Sequence, residues 1–464
     1  MTVVAAPARS GLRLIERLAA LTPSGRAGVP VAWALYDFAN TIYSYAIVSF
    51  AMTLWTIDRL GRADGTFWAL VANAVSVGLN ALVSPVLGAM SDRGGGRRLP
   101  YLLFFTAQCI IATAAIALIP SGATGLTVLG LILFTIANFS YQAALIYYDA
   151  TLPVVSKPES RGRVSGIGVA IGYLGTIAIA ILILVTDSGS GPLTFLMAAG
   201  LFALFAAPIF LVVREPRRDG AAFRVSDALA SWSQLRTTID DARQVPGLLR
   251  FLVGRFFYTD PVNTVIVVMS AFATGAIGFT EGQANLVLLL LTVAAVVGSF
   301  GWGALVERIG PKRTLMIVLG TWVVGLVIAG AVLSVPTFLV GGVLLGAGLG
   351  GVWTSDRVFM LRLSPPDKVG EFFGLYGLAG KFSAVTGPIL YGSIVSTLLN
   401  AGWDKTAYQV GIFSFLILLV IGVALLRGVP DRKTEDGPTH SGGAVVAPPE
   451  HLMPSADMPV EGRL

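Results

Sequence analysis

The sequence predicts an all-α membrane protein: twelve transmembrane helices in two parallel six-helix halves. Three observations carry that prediction. The 464-residue chain is 55% hydrophobic and 12% charged, with a mean hydropathy of +0.78, whereas a soluble domain carries about 25% charged residues. Its apolar residues gather into twelve long runs. Three polar patterns from the first half of the chain return, in the same order, in the second.

The runs lie at about 31–57, 67–90, 100–119, 125–148, 163–185, 193–213, 251–274, 283–305, 314–333, 337–361, 372–398 and 406–427. Each approaches or exceeds the roughly 20 residues that cross ~30 Å of hydrocarbon at ~1.5 Å per residue. Hydrocarbon tolerates no open strand edge, so the runs are expected as helices. Of the 32 Lys and Arg residues, 26 lie before the first run, in alternate connections, or after the last run. Only Arg59, Arg62 and Lys405 lie in the other connections. The positive-inside rule then places both termini in the cytoplasm, with the chain in the inner cell membrane. The same distribution accounts for the net charge of +6 by topology and implies no nucleic-acid partner.

The remaining segments divide accordingly. Residues 1–30 form a cytoplasmic amino-terminal segment in which LRLIERLAALT is expected as a short interfacial helix. No cleavable signal peptide is evident. Residues 31–213 and 251–427 are the two halves. Between them, 214–250 is a cytoplasmic linker in which Val225, Leu229, Trp232, Leu235 and Ile239 recur at helical spacing, as in a surface helix. Residues 428–464, rich in Pro, Gly and charge, are expected as a disordered cytoplasmic tail. Cys109 is the one cysteine, so no internal disulfide can form. His440 and His451 both lie in the tail, which removes histidine-based metal sites and triads from the membrane region. No metal or other cofactor is expected.

The repeats are specific. Asp37-x-x-Asn40-Thr41, in WALYDFANTIYS, returns as Asp260-x-x-Asn263-Thr264, in RFFYTDPVNTVI, at an offset of 223. Gly88-x3-Asp92-Arg93, followed by Arg97-Arg98, returns as Gly303-x3-Glu307-Arg308, followed by Lys312-Arg313, at an offset of 215. Ser156-x-Pro158-Glu159-x-x-Gly162-x3-Gly166 returns as Ser364-x-Pro366-Asp367-x-x-Gly370-x3-Gly374, at an offset of 208. Paired halves with a substrate site between them near the midplane are a transporter architecture.

GAMSDRGGGRR resembles the loop signature of the major facilitator superfamily, G-x-x-x-D-R-x-G-R-R/K, with one extra residue before the basic pair. GALVERIGPKR is similar, with Glu in place of Asp. WALYDFANT, RFFYTDPVNT and EFFGLYGLAGKFSAVTGP resemble the UMF1 family, bacterial relatives of the autophagy-linked vacuolar amino-acid effluxer of yeast. The resemblance spans all twelve runs. It implies the major facilitator fold, no enzymatic activity, and a small-molecule substrate such as an amino acid moved outward from the cytoplasm.

Six ionisable side chains lie inside the apolar runs: Asp37, Arg255, Asp260, Asp356, Arg357 and Lys381. At roughly 3 kcal/mol each on the insertion scale, they demand partners, water or a cavity. Three are acidic and three basic, so full pairing is possible on paper. Asn40, Thr41 and Ser44 share the face of Asp37; Asn263 and Thr264 flank Asp260, two residues after Tyr258. Pro261 removes a hydrogen bond and frees the carbonyl of Phe257 to kink the helix. These groups are candidates for a substrate or coupling-ion site, against a permanent ion pair such as Asp260 with Lys381. Lys381, near the midplane, either pairs with a carboxylate or meets an anionic group of the substrate. Arg255, close to the inner end of its run, reads as structural.

On the fourth run Asn138, Tyr141 and Gln142 share a face that can line a cavity. Asn73, Ser76, Asn80 and Ser84 on the second read as helix–helix hydrogen-bonding groups. Gating positions are Asp92, Arg93, Asp149, Glu307, Arg308, Asp356 and Arg357. Asp92 is placed to accept from a helix N-terminus of the opposite half, with Glu307 doing the same in reverse, while Arg93 and Arg308 pair with nearby carboxylates. Gly166, Gly168 and Gly172, like Gly342, Gly346 and Gly350, read as close-packing positions and not as a nucleotide loop. The expected protein is a monomeric secondary carrier in a lipid bilayer. Its rivals are a sensor or scaffold that has lost transport, and a channel.

Overall fold

The computed structural model describes residues 7–93, 97–120, 122–216 and 235–431. Among these, the chain is helical and without strands. An amphipathic α1 (Pro7–Ala20) leads to α2 (Gly28–Tyr43). A π-helical stretch, Ser44–Ala51, carries α2 on into α3 (Met52–Leu60). Then come α4 (Arg62–Arg93), α5 (Leu99–Ala117), α6 (Thr127–Ala150), the single turn α7 (Leu152–Val155), α8 (Arg161–Thr186) and α9 (Pro192–Val212). The second part holds α10 (Leu235–Gln244), α11 (Leu248–Phe272) with a π-helical end at Ala273–Ile277, α12 (Glu281–Ile309), α13 (Pro311–Ala331), α14 (Val335–Leu363), α15 (Val369–Asn400) and α16 (Asp404–Arg427). Among the described residues, ten helices, α4–α6, α8, α9 and α12–α16, are long and apolar enough to cross a membrane.

One local difference from the sequence reading stands out. The first run is not one α-helix, because its middle widens into the π-helical stretch just after the Asp37 cluster. Pro261 lies inside α11, which continues to Phe272 before widening at Ala273–Ile277. In the linker, Leu235 and Ile239 do lie on a helix, α10. Val225, Leu229 and Trp232 lie outside the described residues, as does the tail from residue 432.

The helices before residue 213 pack among themselves: α2 on α8 and α9, α5 on α6 and α9, α4 on α3 and α6. Those after 247 do the same: α11 on α15 and α16, α13 on α14 and α16, α12 on α14. The two sets meet where α4 and α6 touch α15, and where α8 touches α12 and α14. The repeated glycines explain how closely. A Cβ at Gly374 would lie 2.5 Å from the carbonyl oxygen of Ser84 and 2.8 Å from Cα of Pro85, and one at Gly370 2.6 Å from the oxygen of Gly88. A Cβ at Gly166 would lie 2.5 Å from the oxygen of Ser299, and one at Gly303 2.8 Å from that of Gly162. Each glycine motif thus grips the other motif's counterpart in the opposite set, and only hydrogen in place of Cβ permits the approach. These contacts fall at the end of the bundle that carries the basic connections.

That end is tied down further. The Glu215 carboxylate accepts from the backbone N–H groups of Arg98 (2.8 and 2.9 Å) and Leu99 (2.9 Å), satisfying the first turn of α5. Lys312 Nζ donates to the carbonyls of Arg427 (3.1 Å) and Val429 (2.5 Å) at the end of α16. Lys368, just before α15, donates to Asp241 on α10 at 2.5 Å.

Gly374→Ala is expected to destabilise the protein by about 1–3 kcal/mol through overpacking. Gly392→Ala, on the same helix with open space around its Cβ direction, is expected to be neutral or to stabilise by up to about 1 kcal/mol. Thermal unfolding of the purified variants in one detergent checks the contrast. Equal effects would contradict the close-contact account.

Candidate functional site

The deep charges sort into three arrangements. The first is built on α14, where Asp356 and Arg357 are neighbours and so, about 100° apart around the helix, face different partners. Asp356 turns into its own set: Arg255 Nε of α11 lies 3.2 Å from its Oδ2, Tyr376 donates to Oδ1 at 2.8 Å, and Tyr258 reaches Oδ2 at 3.5 Å. The Arg255 guanidinium also stacks 3.5 Å over the Tyr376 ring and donates to that residue's carbonyl. Arg255 is thus paired with Asp356 inside its own helix set, although its Nε makes no hydrogen bond among the described residues.

Arg357 turns the other way, into the amino-terminal set. Its Nη2 lies 3.6 Å from Asp37 Oδ2, and Nη1 donates to Asp149 Oδ1 at 3.2 Å. Its Nε donates to Ser165 Oγ (2.6 Å) and Nη2 to the Ser165 carbonyl (3.1 Å). The plane sits 4.9 Å from the Trp33 ring centre. One guanidinium therefore joins α14 to α2, α6 and α8. Trp33 is itself fixed by donating Nε1–H to Thr151 (3.1 Å) and by stacking on Tyr148 (4.6 Å between centres).

The second arrangement is Asp260, which is buried on α11. The backbone N–H of Gly387 on α15 donates to its Oδ1 at 2.7 Å, while Oδ2 and the Thr264 hydroxyl have no hydrogen-bond partner among the described residues. A Cβ at Gly387 would overlap Thr264 Oγ1 and come within 2.8 and 2.9 Å of the two Asp260 oxygens. The equivalent cluster in the first repeat is built alike. A Cβ at Gly172 of α8 would lie 3.3 Å from Cγ of Asp37, and Thr41 donates to the Gly172 carbonyl. Asn263 donates to Ser383 at 3.4 Å, and Asn40 is buried beside its Asp.

The third is Lys381 on α15. It donates to Asn80 Oδ1, to Ser84 Oγ (3.0 Å) and to the Gln142 carbonyl (3.4 Å). Full pairing of the six charges therefore does not occur. Arg357 takes two carboxylates, and neither Asp260 nor Lys381 enters an ion pair among the described residues. The pair Asp260 with Lys381 does not form, because the two face different helices.

At the basic end, Asp92 accepts from the N–H groups of Gly370 (3.0 Å) and Glu371 (2.8 Å), the first turn of α15. Glu307 accepts from the N–H of Arg163 (3.2 Å) in the first turn of α8. The basic partners are Arg98 for Asp92 (3.2 Å) and Arg163 for Glu307 (2.5 Å). The Arg93 side chain lies outside the described residues, and Arg308 is exposed and in no ion pair among them. The Asn138 amide nitrogen donates to Asn73 (2.9 Å) and Ser76 (2.6 Å) of α4, while its Oδ1 has no hydrogen-bond partner among the described residues. Tyr141 packs on Tyr43 (4.9 Å between centres). Trp33, Ser165, Arg98, Arg163 and Tyr376 were missed by polarity-based reading. Each lies within or beside a repeated or family-like motif, which was the signal that could have found it.

No group of three His, Cys, Asp or Glu side chains among the described residues is placed to hold a metal. Residues 57–436 match the family described as vacuole effluxer Atg22 like. The chain belongs to that family. It is a membrane transporter of the major facilitator superfamily, of the Atg22/UMF1 type, and not an enzyme. It is 28% identical over 422 residues to the uncharacterized MFS-type transporter YxiO of Bacillus subtilis (strain 168), covering 87% of this chain and 95% of that one. In fold it is similar to the proton:xylose symporter XylE, at a TM-score of 0.65 and 14% identity over 90% of this chain and 95% of that one. A bacterial homologue of the iron transporter ferroportin, in its outward-facing state, gives a TM-score of 0.65 at 16% identity, over 86% and 98%.

In this Atg22-like protein, Arg357→Ala is expected to cost about 3–5 kcal/mol, because it strands the buried Asp37 and the half-buried Asp149. Adding Asp37→Asn and Asp149→Asn to it is expected to recover most of that loss. Thermal unfolding of the single and triple variants measures it. A triple variant no better than the single would show that Arg357 acts through packing alone.

Proposed function

We propose that this transporter is a monomeric secondary carrier that moves a small metabolite out of the cytoplasm by alternating access, driven by a proton gradient. In this reading Gly28–Leu60 and Leu248–Ile277 join the ten apolar helices as spans one and seven. The twelve form six-helix halves at 31–213 and 251–427. The linker 214–250 and the terminal segments 1–30 and 428–464 lie on the cytoplasmic side of the inner membrane. The observation that carries the reading is the crosswise closure of one end. Asp92 of one set holds the first turn of α15, Glu307 of the other holds the first turn of α8, and Arg357 bridges between them. A charge-assisted contact to a helix N-terminus is strong while formed and is lost completely when the helices part. Such contacts suit a latch between two rigid bodies that rock about a site.

The basic connections mark the latched end as cytoplasmic. The gate comprises Asp92, Glu307, Asp149 and Arg357, with Asp356 held by Arg255. Arg98 and Arg163 occupy the basic roles first expected of Arg93 and Arg308. The family description, a vacuole effluxer, supports export of an amino acid or a similar metabolite. Relatives described as transporters do not favour a sensor or scaffold.

Asp260 is the coupling residue of this mechanism, with Asn263 and Thr264 beside it. Asp37 already shares Arg357 with Asp149. Asp260 has one oxygen held by the Gly387 N–H and another with no donor directed to it, next to a hydroxyl in the same condition. That asymmetry is the hydrogen-bonding pattern of a neutral carboxyl: one oxygen accepts, and the other carries a proton that a hydroxyl can receive.

Asp260→Asn reproduces that neutral form, since an amide accepts through oxygen and donates through nitrogen. In proteoliposomes the variant is expected to lose uphill transport of an amino-acid mixture under a pH gradient while retaining exchange at equal pH. Wild-type gradient-driven flux in the variant would refute the assignment.

A further inference from the structure

Lys381 is the one deep cation among the described residues with no carboxylate partner, and its hydrogen bonds are all to neutral oxygens. Its side chain is buried at 9% exposure, and it enters none of the ion pairs there. The other two deep cations each hold carboxylates. The acceptors around Lys381 form a built cage. The Asn80 amide is oriented by donating to the Phe139 carbonyl at 2.9 Å, which turns its Oδ1 toward the ammonium. Ser84 donates to the Asn80 carbonyl at 2.7 Å and so presents a lone pair to Nζ. Gly377, one turn before Lys381, leaves room: a Cβ there would sit 3.5 Å from Nζ.

The cage satisfies the hydrogen bonds and leaves the charge uncompensated. Neutral dipoles solvate an ammonium, but only an opposite charge cancels its field in a low-dielectric interior. The cage also straddles the two helix sets. All three acceptors ride on α4 and α6, whereas Lys381 rides on α15. If the sets part, Nζ loses all three at once. What replaces them must supply several acceptors and, to remove the residual cost, a negative charge.

We infer that Lys381 is the receptor for an anionic group of the transported molecule, a carboxylate or a group of like charge, which takes the ammonium from its cage of neutral oxygens. The inference rests on the carrier reading above and narrows its substrate class. An anionic group binds Lys381 in place of the Asn80 and Ser84 oxygens, so its arrival loosens the α4–α15 contact.

The test uses purified full-length protein and a panel of amino acids, simple carboxylates and inorganic phosphate. Each amino acid is matched by its carboxamide, which keeps the ammonium and side chain and lacks the anion. Binding is read as thermal stabilisation and, separately, flux is read in proteoliposomes. Wild type is expected to bind at least one anionic member and not its carboxamide. Lys381→Gln keeps two N–H donors for the cage and so its fold; it is expected to weaken that binding about 10-fold to 100-fold, the range of a charge-assisted hydrogen bond. Lys381→Arg is expected to restore part of it. Carboxamides binding as well as the acids, unchanged affinity in Lys381→Gln, or no anion-dependent binding would each overturn the inference. Flux of carboxamides or amines would sink the anion receptor and leave the carrier standing. Anion-dependent binding without flux would do the reverse.

Discussion

A guanidinium held between two helix sets organises this protein. Hydrocarbon offers a buried charge no water, so each must be met by protein groups or by cargo. Arg357 is met by two carboxylates, a hydroxyl, a carbonyl and an aromatic face, and none of these belongs to its own set of helices. Parting the sets would strand a cation on α14 and two anions on α2 and α6. Such an interface is far from neutral to separation: it has one well-satisfied closed state, and any open state must find new partners for the same charges.

Close approach makes this geometry possible. The glycines at 88, 162, 166, 303, 370 and 374 bring backbone within reach of backbone. At that separation Asp92 reaches the first N–H groups of α15 and Glu307 that of α8. The polar and the small residues of the repeated motifs are therefore parts of one device. The glycines set the distance, and the carboxylates use it. A larger residue at 374 would push Asp92 away from its donors without touching Asp92.

Much of this was legible in the sequence, and for a physical reason. Runs of twenty apolar residues have few fates, and repeated motifs betray paired sets. Asp37 and Asp260 stood out because charge in an apolar run is costly, and Asp92 and Glu307 because their motif is repeated. Pairings were less legible. Counting three acids against three bases implied neutral pairs, but pairing depends on which face of a helix meets which neighbour. Adjacent Asp356 and Arg357 point to different sets, and Asp149, at the end of its run, entered the network that Asp260 did not. Trp33 and Ser165 lie inside the quoted motifs but drew no role from them, since an aromatic and a small hydroxyl are ordinary in a membrane helix. Asn138, expected to line a cavity, donates its amide across from α6 to α4, a contact that only the rotation of both helices reveals.

The repeat also explains why the bridge is lopsided. At the offset of 208 that relates Ser156 to Ser364, Asp149 corresponds to Arg357. The two positions that meet are each other's counterparts. Under the proposed pseudo-two-fold arrangement, a position near the axis must face its own equivalent. Identical ionisable residues there would place like charges a few ångströms apart, which a low-dielectric interior penalises heavily. Opposite charges at one repeated position turn that repulsion into an attraction, at the cost of symmetry elsewhere. Asp37, whose counterpart is Asp260, then lies near a cation while Asp260 lies near none. Two copies of one motif thus meet different electrostatic surroundings on similar backbone: Asp37 lies beside a guanidinium, whereas Asp260 is in no ion pair among the described residues.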